Sequence, residues 1–572
     1  MIRRIEIQHL QEVFPMTEAL NRAKLWASDV YFDPDTQKAS ASCLVNENEL
    51  LSAFGSELSF GTGGLRGIVG VGTARMNIYT VGRATLGLAH SLRQRKATRG
   101  VAIAHDSRHG AEAFTAVTAG VLAANGIPVH VFETLAPTPM LSYAVRALGL
   151  DAGVMITASH NPAVYNGYKV YGADGCQITD EAADSILACI SAVGYTDAEV
   201  MPEADARKAG LWLDVQDSIR RSFAQNCLFC RPNPNVCESI HVVYTPLHGT
   251  GLMPVREVLG LMQGVKVTEV DAQCTPDGDF PTCPKPNPEI DETLGMGIAL
   301  CKETGADLLL ATDPDCDRVG VVVRTPEGGY ERLSGNEVGL LLLDYVLSAR
   351  KELGTLPENA VAVKTIVTSD LSFSIAKEYG VTIREVLTGF KYIGEVIGGL
   401  EKEGRESDFV FGFEESCGYL AGTHVRDKDG VMACMLVCEM AQALKAQGSS
   451  VWQKLCELYA HHGYLGTRLL NFDITGAVPM VEMAAIMQRM RTQPLKELAG
   501  RPVTAVKDYL TGIDGLPVSN VLVYEAESLK AIVRPSGTEP KVKVYLFAKA
   551  ADQNGSAELL NILEQEISSV IK

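Results

Sequence analysis

The sequence predicts an α/β protein built of about four domains. Its 572 residues exceed what one hydrophobic core accommodates, since a domain takes roughly 150 residues. Apolar strands alternate with helix-like stretches, as in residues 101–132, which read strand, helix, strand with short connections. Hydrophobic residues make up 46% of the chain and charged residues 21%, so the chain has enough apolar material to fold throughout.

The same alternation recurs along the chain. Residues 1–55 are predicted to form peripheral helices, and strand–helix units then begin near residues 101, 241 and 360. Further strands are predicted at 308–311 and 319–323. Units of this kind that recur without obvious sequence identity indicate three related α/β domains. Strands at 531–533 and 542–547, followed by a helix at 556–571, are typical of a smaller α+β domain.

Turns and charged stretches predict where the domains divide. We place the boundaries so that the four domains cover residues 1–205, including the N-terminal helical extension, 206–325, 326–463 and 464–572.

The charge balance limits the kinds of partner. The chain has 51 Lys+Arg against 69 Asp+Glu, a net charge of -18, which disfavours nucleic acid or an anionic membrane as the main partner. No run of about 18 apolar residues predicts a membrane span. Several of the 14 cysteines lie among apolar residues, as buried free thiols do in a reducing compartment. We therefore expect a cytoplasmic protein, monomer or homodimer, that binds small molecules.

Cys227 and Cys230 have the C-x-x-C spacing that occurs in zinc sites. The sequence shows no second cysteine pair and no histidine cluster near them, so the spacing alone favours two ordinary thiols near a loop.

The segment Thr157-Ala158-Ser159-His160-Asn161-Pro162, here called the serine loop, directly follows an apolar strand. A serine at the end of a strand, among small residues, can present its hydroxyl to a ligand. Adjacency of Ser and His does not by itself predict a hydrolase, because a catalytic triad needs partners placed in space. A polar turn is the alternative.

The aspartate loop, Asp313-Pro314-Asp315-Cys316-Asp317-Arg318, lies between two apolar strands. Three carboxylates at alternate positions need a cation to offset their repulsion, and oxygen ligands favour magnesium or calcium. An EF-hand does not fit, because the positions of its glycine and final glutamate hold Arg318 and Arg324. A phosphatase with Asp315 as nucleophile stays open. Magnesium completes its shell with phosphate oxygens, so we expect a phosphate beside this loop.

Two further loops offer groups that bind sugars and phosphates. The glutamate loop, Phe411-Gly412-Phe413-Glu414-Glu415-Ser416-Cys417-Gly418, has carboxylates that can accept hydrogen bonds from vicinal hydroxyls. The arginine loop, Arg534-Pro535-Ser536-Gly537-Thr538-Glu539-Pro540, offers a guanidinium and two hydroxyls for a phosphate dianion. Residues 60–67 are glycine-dense but match no nucleotide-binding spacing, so no nucleotide cofactor is predicted.

Taken together and in this order, the four loops resemble those of the α-D-phosphohexomutase superfamily, most closely its long phosphoglucomutase-like branch, which includes phosphopentomutases. The resemblance covers nearly the whole chain and implies a heart-shaped molecule in which three α/β domains and a smaller fourth domain surround a central cleft. It also implies a reaction in which Ser159 carries a phosphoryl group to and from the sugar.

The resemblance assigns roles residue by residue. It implies that Ser159, Asp313, Asp315 and Asp317 hold one Mg²⁺ per chain. It implies a catalytic group made up of Ser159, His160, Lys169, Arg66 and Lys391. It implies a substrate-binding group made up of Arg318, Glu414, Glu415, Ser416, Arg534, Ser536, Gly537 and Thr538.

The glutamate loop bears on the choice of sugar. Glu414-Glu415-Ser416 resembles the glucose-preferring form of the loop, which implies interconversion of glucose 1-phosphate and glucose 6-phosphate with glucose 1,6-bisphosphate as primer and intermediate. Phe413 departs from the glycine that is frequent at this position, so phosphomannomutase and phosphopentomutase activities stay open. A magnesium-dependent sugar phosphatase and a non-catalytic sugar-phosphate-binding protein are remoter alternatives.

Overall fold

The computed structural model describes residues 16–61, 63–97, 99–474, 479–513, 515–536 and 541–571. These residues form four sheets, of six, five, four and six strands in chain order. The first three sheets mix parallel and antiparallel pairs, and the fourth is antiparallel throughout. The predicted fold class, three α/β domains and a smaller α+β domain, is confirmed.

Three short helices precede the first sheet. They are α1 (Met16–Ser28), α2 (Pro34–Cys43) and α3 (Glu47–Phe54). Trp26 is 1% exposed and stacks on Phe32 with ring centroids 4.6 Å apart, while Tyr79 of the first domain meets Trp26 edge-on. Because aromatic side chains bury large areas, this cluster fixes the helices to the first domain.

The first sheet has the strand order β1-β5-β4-β2-β3-β6. Its strands are β1 (Gly64–Ile68), β2 (Val101–His105), β3 (Val129–Val131), β4 (Ala152–Ile156), β5 (Tyr165–Gly172) and β6 (Trp212–Asp214). Its helices are α4 (Ile78–Gln94), α5 (Ala111–Ala124), α6 (Thr138–Ala147), α7 (Asp180–Ser191) and α8 (Glu203–Lys208). Strand β6 follows the predicted boundary at residue 205 yet pairs in parallel with β3, so this sheet extends past that boundary. The division into domains stays a prediction.

The second sheet has the order β11-β10-β9-β7-β8. Its strands are β7 (Ile240–Thr245), β8 (Val265–Glu269), β9 (Leu308–Thr312), β10 (Val319–Arg324) and β11 (Tyr330–Leu333). Its helices are α9 (Asp217–Phe229), α10 (Leu252–Gly260), α11 (Asp271–Cys274) and α12 (Asp291–Thr304). Strands β9 and β7 are buried at nearly every position, as expected for central strands covered on both faces.

The third sheet has the order β13-β12-β14-β15. Its strands are β12 (Val361–Thr365), β13 (Thr382–Val386), β14 (Phe409–Glu414) and β15 (Gly418–Leu420). Its helices are α13 (Gly335–Glu352), α14 (Leu371–Tyr379), α15 (Phe390–Lys402), α16 (Gly430–Ala446) and α17 (Val451–His462), with a 3-10 turn at Glu406–Asp408. Helix α16 is almost entirely buried, and its apolar side chains join one core with residues of the first and second domains. The first three domains therefore share a continuous hydrophobic core.

The fourth sheet has the order β16-β21-β20-β19-β18-β17. Its strands are β16 (Tyr464–Asp473), β17 (Glu497–Leu498), β18 (Arg501–Asp508), β19 (Leu522–Ala526), β20 (Leu529–Pro535) and β21 (Lys541–Ala550). Helices α18 (Pro479–Thr492) and α19 (Gln553–Ile571) cover it, and a 3-10 turn spans Tyr509–Thr511. This domain has its own core and meets the third domain through a smaller apolar cluster that includes Ile366 and Tyr545. No helix in the described ranges is long and apolar enough to cross a membrane.

Candidate active site

The serine, aspartate and glutamate loops occupy equivalent places in the three α/β domains. Each follows a strand that has a parallel neighbour, and each leads into a strand that returns antiparallel: β4 to β5, β9 to β10, and β14 to β15. Each also contains one non-glycine residue with positive φ: Ser159 (52°), Cys316 (53°) and Cys417 (61°). Such backbone strain concentrates where a loop must present a group in one fixed direction.

Ser159 lies beside the aspartate loop although 154 residues separate it from Asp313. Its hydroxyl donates to Asp313 Oδ2 at 2.7 Å and lies 3.2 Å from His160 Nδ1. The residue is 3% exposed. The structure thus brings together the serine and the three-aspartate turn that the sequence singled out separately.

Arg108 binds the backbone of the serine loop. The sequence analysis did not single it out. Its guanidinium donates to the carbonyl oxygens of Ser159 at 2.6 Å, Pro162 at 2.9 Å and Tyr165 at 2.9 Å, and also to that of Asn161. Asp106 accepts the backbone N–H of Arg108 and lies 3.3 Å from its Nε. The side chains of Arg108 and Asp106 are both fully buried. Arg108 therefore fixes the backbone that carries Ser159.

We expect the Arg108→Met change to lower the free energy of unfolding by about 3–5 kcal/mol, because it removes the counter-charge of the buried Asp106 carboxylate and leaves several carbonyl oxygens without their donor. Urea unfolding checks this value. Arg99→Met is the matched control: Arg99 pairs with Asp151, its side chain is 61% exposed, and its loss should cost about 0–1 kcal/mol. Equal effects of the two changes would contradict the role given to Arg108.

The three aspartates of the aspartate loop form a buried oxygen cluster. Asp313, Asp315 and Asp317 are 0–2% exposed, and one carboxylate oxygen from each lies within 4.8 Å of the others. Oδ1 of Asp315 and Oδ1 of Asp317 are buried without a hydrogen-bond partner. Burial and the neighbouring carboxylates raise the pKa of Asp313 well above its usual range. Unpartnered, mutually repelling oxygens of this kind fit a hard divalent cation.

Two lysines contact this cluster. Lys169 Nζ lies 2.8 Å from Asp315 Oδ2 and 3.6 Å from Asp317 Oδ2. Lys428, which the sequence analysis did not single out, lies 3.1 Å from Asp317 Oδ2. Burial opposes the charge of Lys169, but the two aspartates raise its pKa above the usual value, so it stays protonated. The first and third domains therefore each bring a positive charge to the aspartate loop of the second.

His160 and Arg66 lie close to each other, and Arg66 is also close to Lys169. Burial, with the charges of Arg318 and Arg66, holds the pKa of His160 well below its usual value, so its imidazole is neutral at pH 7. Arg66 lies on β1 and pairs with Gly167 of β5. Two residues earlier on β1, Gly64 pairs with Lys169. Arg318 donates to Glu289 at 2.8 Å.

The glutamate loop adjoins the aspartate loop. The backbone N–H of Val319 donates to the carbonyl of Cys417 at 3.0 Å. Glu414 accepts the N–H of Gly389 at 2.9 Å, and Glu415 accepts the hydroxyl of Thr368 at 3.2 Å. Burial and the charge of Glu414 raise the pKa of Glu415 to about 7.

Two other residues of the glutamate loop, Ser416 and Phe413, differ in their exposure. Ser416 is half-buried between Glu415 and Cys417. Phe413 is 1% exposed, and a Cβ added at Gly339 of α13 would overlap its ring. The side chain of Phe413 therefore faces the core of the third domain.

The arginine loop of the fourth domain lies opposite the glutamate loop. Arg534, at the end of β20, has a charge that opposes the rise in the pKa of Glu415. Ser536 is 7% exposed, and its N–H donates to the carbonyl of Lys541 at 2.8 Å. Gly537 and Thr538 lie outside the described residues. Of this loop, the structure thus describes Arg534 to Ser536.

Lys391 stands at the border of the first and third domains. It lies in the first turn of α15, and its Nζ donates to Asp180 Oδ1 on α7 at 2.6 Å. This long-range ion pair was not visible in the sequence.

The serine, aspartate and glutamate loops meet at one site that fits phosphoryl transfer, and comparison with known proteins shows an enzyme of that class. The sequence matches the profiles of phosphoglucomutase/phosphomannomutase α/β/α domains I, II and III over residues 57–196, 223–328 and 334–462. It is 36% identical over 529 residues to a phosphoglucomutase of Staphylococcus epidermidis, covering 90% of this chain and 93% of that protein. A phosphoglucomutase of Staphylococcus aureus is 34% identical, covering 90% and 94%.

Solved structures share the fold. A phosphoglucomutase/phosphomannomutase family protein from Burkholderia thailandensis superposes with a TM-score of 0.66 at 18% identity, over 89% of this chain and 97% of that one. Parafusin from Paramecium, in its open form, superposes with a TM-score of 0.64 at 17% identity, over 90% and 94%. The chain belongs to the phosphoglucomutase/phosphomannomutase family, and the predicted resemblance is confirmed. It is an intramolecular phosphotransferase.

Proposed function

We propose that this protein is an α-phosphoglucomutase that interconverts glucose 1-phosphate and glucose 6-phosphate through phosphorylated Ser159 and glucose 1,6-bisphosphate. The observation that carries this assignment is the 2.7 Å contact between the Ser159 hydroxyl and a buried cluster of three carboxylates. The choice of glucose is supported by relatives at 34–36% identity that are named phosphoglucomutase.

The aspartate loop fits one Mg²⁺ per chain. Asp313, Asp315 and Asp317, together with the oxygen of Ser159, would hold the ion, since all offer oxygen ligands and two aspartate oxygens lack a partner. Bound there, magnesium would supply positive charge that stabilises the phosphoryl group during transfer.

The transfer exchanges one P–O bond for another. The bond between phosphorus and the Ser159 oxygen breaks while a bond to a sugar hydroxyl oxygen forms. The hydroxyl proton passes to a general base, the part we assign to Lys391 in its neutral form. Lys169 and Arg66 offset negative charge around the group in transit. Nδ1 of neutral His160 lies 3.2 Å from the Ser159 oxygen, and in the tautomer that carries its proton on Nδ1 the imidazole donates a hydrogen bond to that oxygen. Most of the acceleration then comes from positioning and charge neutralisation.

The bisphosphate must reorient in the site between the two transfers. The phosphoryl group that returns to Ser159 is not the one that Ser159 donated. In either orientation of the sugar, the Glu414 and Glu415 carboxylates would accept hydrogen bonds from its hydroxyls. The Ser416 hydroxyl would donate or accept one. The phosphate that is not reacting would bind Arg534 and Ser536, with Gly537, Thr538 and Arg318 completing the site. A closed cleft excludes water, which would otherwise take the phosphoryl group.

A panel of sugar phosphates tests the assignment. With Mg²⁺ and glucose 1,6-bisphosphate present, we expect kcat/KM for glucose 1-phosphate to exceed that for mannose 1-phosphate or ribose 1-phosphate by at least about tenfold, a difference of about 1.4 kcal/mol in transition-state binding. Preference for another sugar would contradict the choice of glucose. Release of inorganic phosphate equal to the substrate consumed would instead indicate a phosphatase.

A further inference from the structure

The fold places a second potential metal site away from the aspartate loop. Cys227 lies in the last turn of α9 and Cys230 follows the end of that helix, while His424 and Asp429 lie in the segment between β15 and α16. Nearly 200 residues separate the two halves of this cluster. Neither partner is near the cysteine pair in the sequence, because both come from the third domain.

Three of these side chains converge on one point. Cys227 Sγ lies 3.5 Å from Asp429 Oδ2 and 3.9 Å from His424 Nε2, and those two atoms are 2.9 Å apart. In a tetrahedral zinc site with bonds of about 2.0–2.3 Å, ligand atoms lie roughly 3.2–3.8 Å from one another. The observed spacing therefore needs adjustments of a few tenths of an ångström to hold an ion.

The three ligand side chains are held in place by their surroundings. Asp429 caps α16: its Oδ1 accepts the N–H groups of Val431 and Met432, both at 2.9 Å, which leaves Oδ2 facing the cluster. His424 Nδ1 lies 3.6 Å from Cys230 Sγ, so the other ring nitrogen faces Cys227 and Asp429. A second partner on the far nitrogen is what orients a metal-binding histidine.

Burial and charge also suit a divalent ion. Cys227 and Asp429 are 0% exposed, and the His424 side chain is 5% exposed. A Cys227 thiolate and the Asp429 carboxylate would together balance a charge of +2, so the occupied site would be neutral in a poorly solvated interior. A mixed set of thiolate, imidazole and carboxylate is typical of zinc, whereas magnesium takes oxygen ligands.

We propose that Cys227, His424 and Asp429 bind Zn²⁺, with Cys230 orienting His424 through its second nitrogen. Binding removes the thiol proton of Cys227 and the Nε2 proton of His424, and both protons go to solvent. The ion joins α9 of the second domain to the segment 421–429 of the third, which also carries Lys428 to Asp317. The bound ion would thus tie the second domain to the third.

Cobalt(II) provides a direct test, because a cobalt–thiolate bond absorbs in the near ultraviolet and an all-oxygen site does not. We expect one equivalent of Co²⁺ to produce this absorption in the full-length protein after removal of bound metal, and one equivalent of Zn²⁺ to abolish it. Asp313→Asn should leave the absorption unchanged. Cys227→Ser should abolish it, and Cys230→Ser should weaken the affinity about 10–100-fold.

Cys301→Ser is the matched control, because Cys301 is another fully buried helical cysteine of the second domain. It should keep the absorption. In case Cys227→Ser does not fold, metal-free wild-type protein is heated with and without one equivalent of Zn²⁺, and a higher unfolding temperature with zinc is expected. Absence of the cobalt–thiolate absorption in the wild type, or its persistence in Cys227→Ser, would overturn the proposal and leave a metal-free histidine–aspartate pair beside two thiols.

Discussion

Ser159→Ala is expected to lower kcat/KM for glucose 1-phosphate by at least about 10³-fold, because the change removes the oxygen that carries the phosphoryl group between substrates. The lost hydroxyl donates to Asp313 in the unphosphorylated protein, and the other charged groups of the site stay in place. Binding of sugar phosphates should therefore persist while turnover is lost. Steady-state kinetics with a coupled assay for glucose 6-phosphate measures the effect.

Ser107→Ala is the matched control for this change. Ser107 lies in the neighbouring loop after β2, and its hydroxyl makes no hydrogen bond in the structure. We expect its kcat/KM to stay within about twofold of the wild type. Retention of a tenth or more of wild-type turnover by Ser159→Ala, with the fold intact, would rule out Ser159 as the carrier.

Asp313→Asn is expected to lower kcat/KM by about 10²–10³-fold and to raise the Mg²⁺ concentration needed for half-maximal activity. Asp313 Oδ1 accepts the N–H groups of Asp317 at 3.1 Å and Arg318 at 3.0 Å, and an amide oxygen can still accept both. The loop should thus keep its shape while one negatively charged ligand is lost. Activity titrated with Mg²⁺ in both proteins measures the effect.

Asp205→Asn serves as the control, because Asp205 is exposed on α8 and remote in sequence from the four loops. Its magnesium dependence should match the wild type. An unchanged magnesium dependence in Asp313→Asn would show that the ion binds elsewhere.

Much of the fold could be predicted from the sequence because its signals are local. Apolar strands such as β4, β9 and β14 are short buried runs, and the loops that follow them carry unusual residue combinations. The position of each loop at the end of a strand then follows from the strand itself. The serine, aspartate and glutamate loops are therefore visible in the sequence alone.

The remaining parts depend on contacts between distant segments. Arg108 stands in Asp106-Ser107-Arg108, directly after β2, where a buried charge pair could have been suspected, but its carbonyl partners lie some 50 residues away. Lys428 belongs to a charged run that resembles a solvated turn until the fold brings it to Asp317. The left-handed backbone of Ser159 is likewise set by its surroundings, since local propensity disfavours it.

The repeat of one loop position in three domains explains how the site is assembled. Each α/β domain supplies one loop at the same edge of its sheet, and the shared core around α16 fixes the three edges against one another. The fourth domain has a separate core and a smaller contact with the third. The geometry between Ser159 and the aspartate loop should therefore be more rigid than that between the arginine loop and the rest.

A single-turnover transfer experiment tests the central claim most directly. The protein is incubated with glucose 1,6-bisphosphate that carries labelled phosphate, separated from the sugar, digested and mapped by mass spectrometry, and a second sample is mixed with unlabelled glucose 6-phosphate and Mg²⁺. The account predicts label on Ser159 alone and its recovery in glucose 1,6-bisphosphate after mixing. Label on an aspartate, or label on Ser159 that passes only to water, would contradict it.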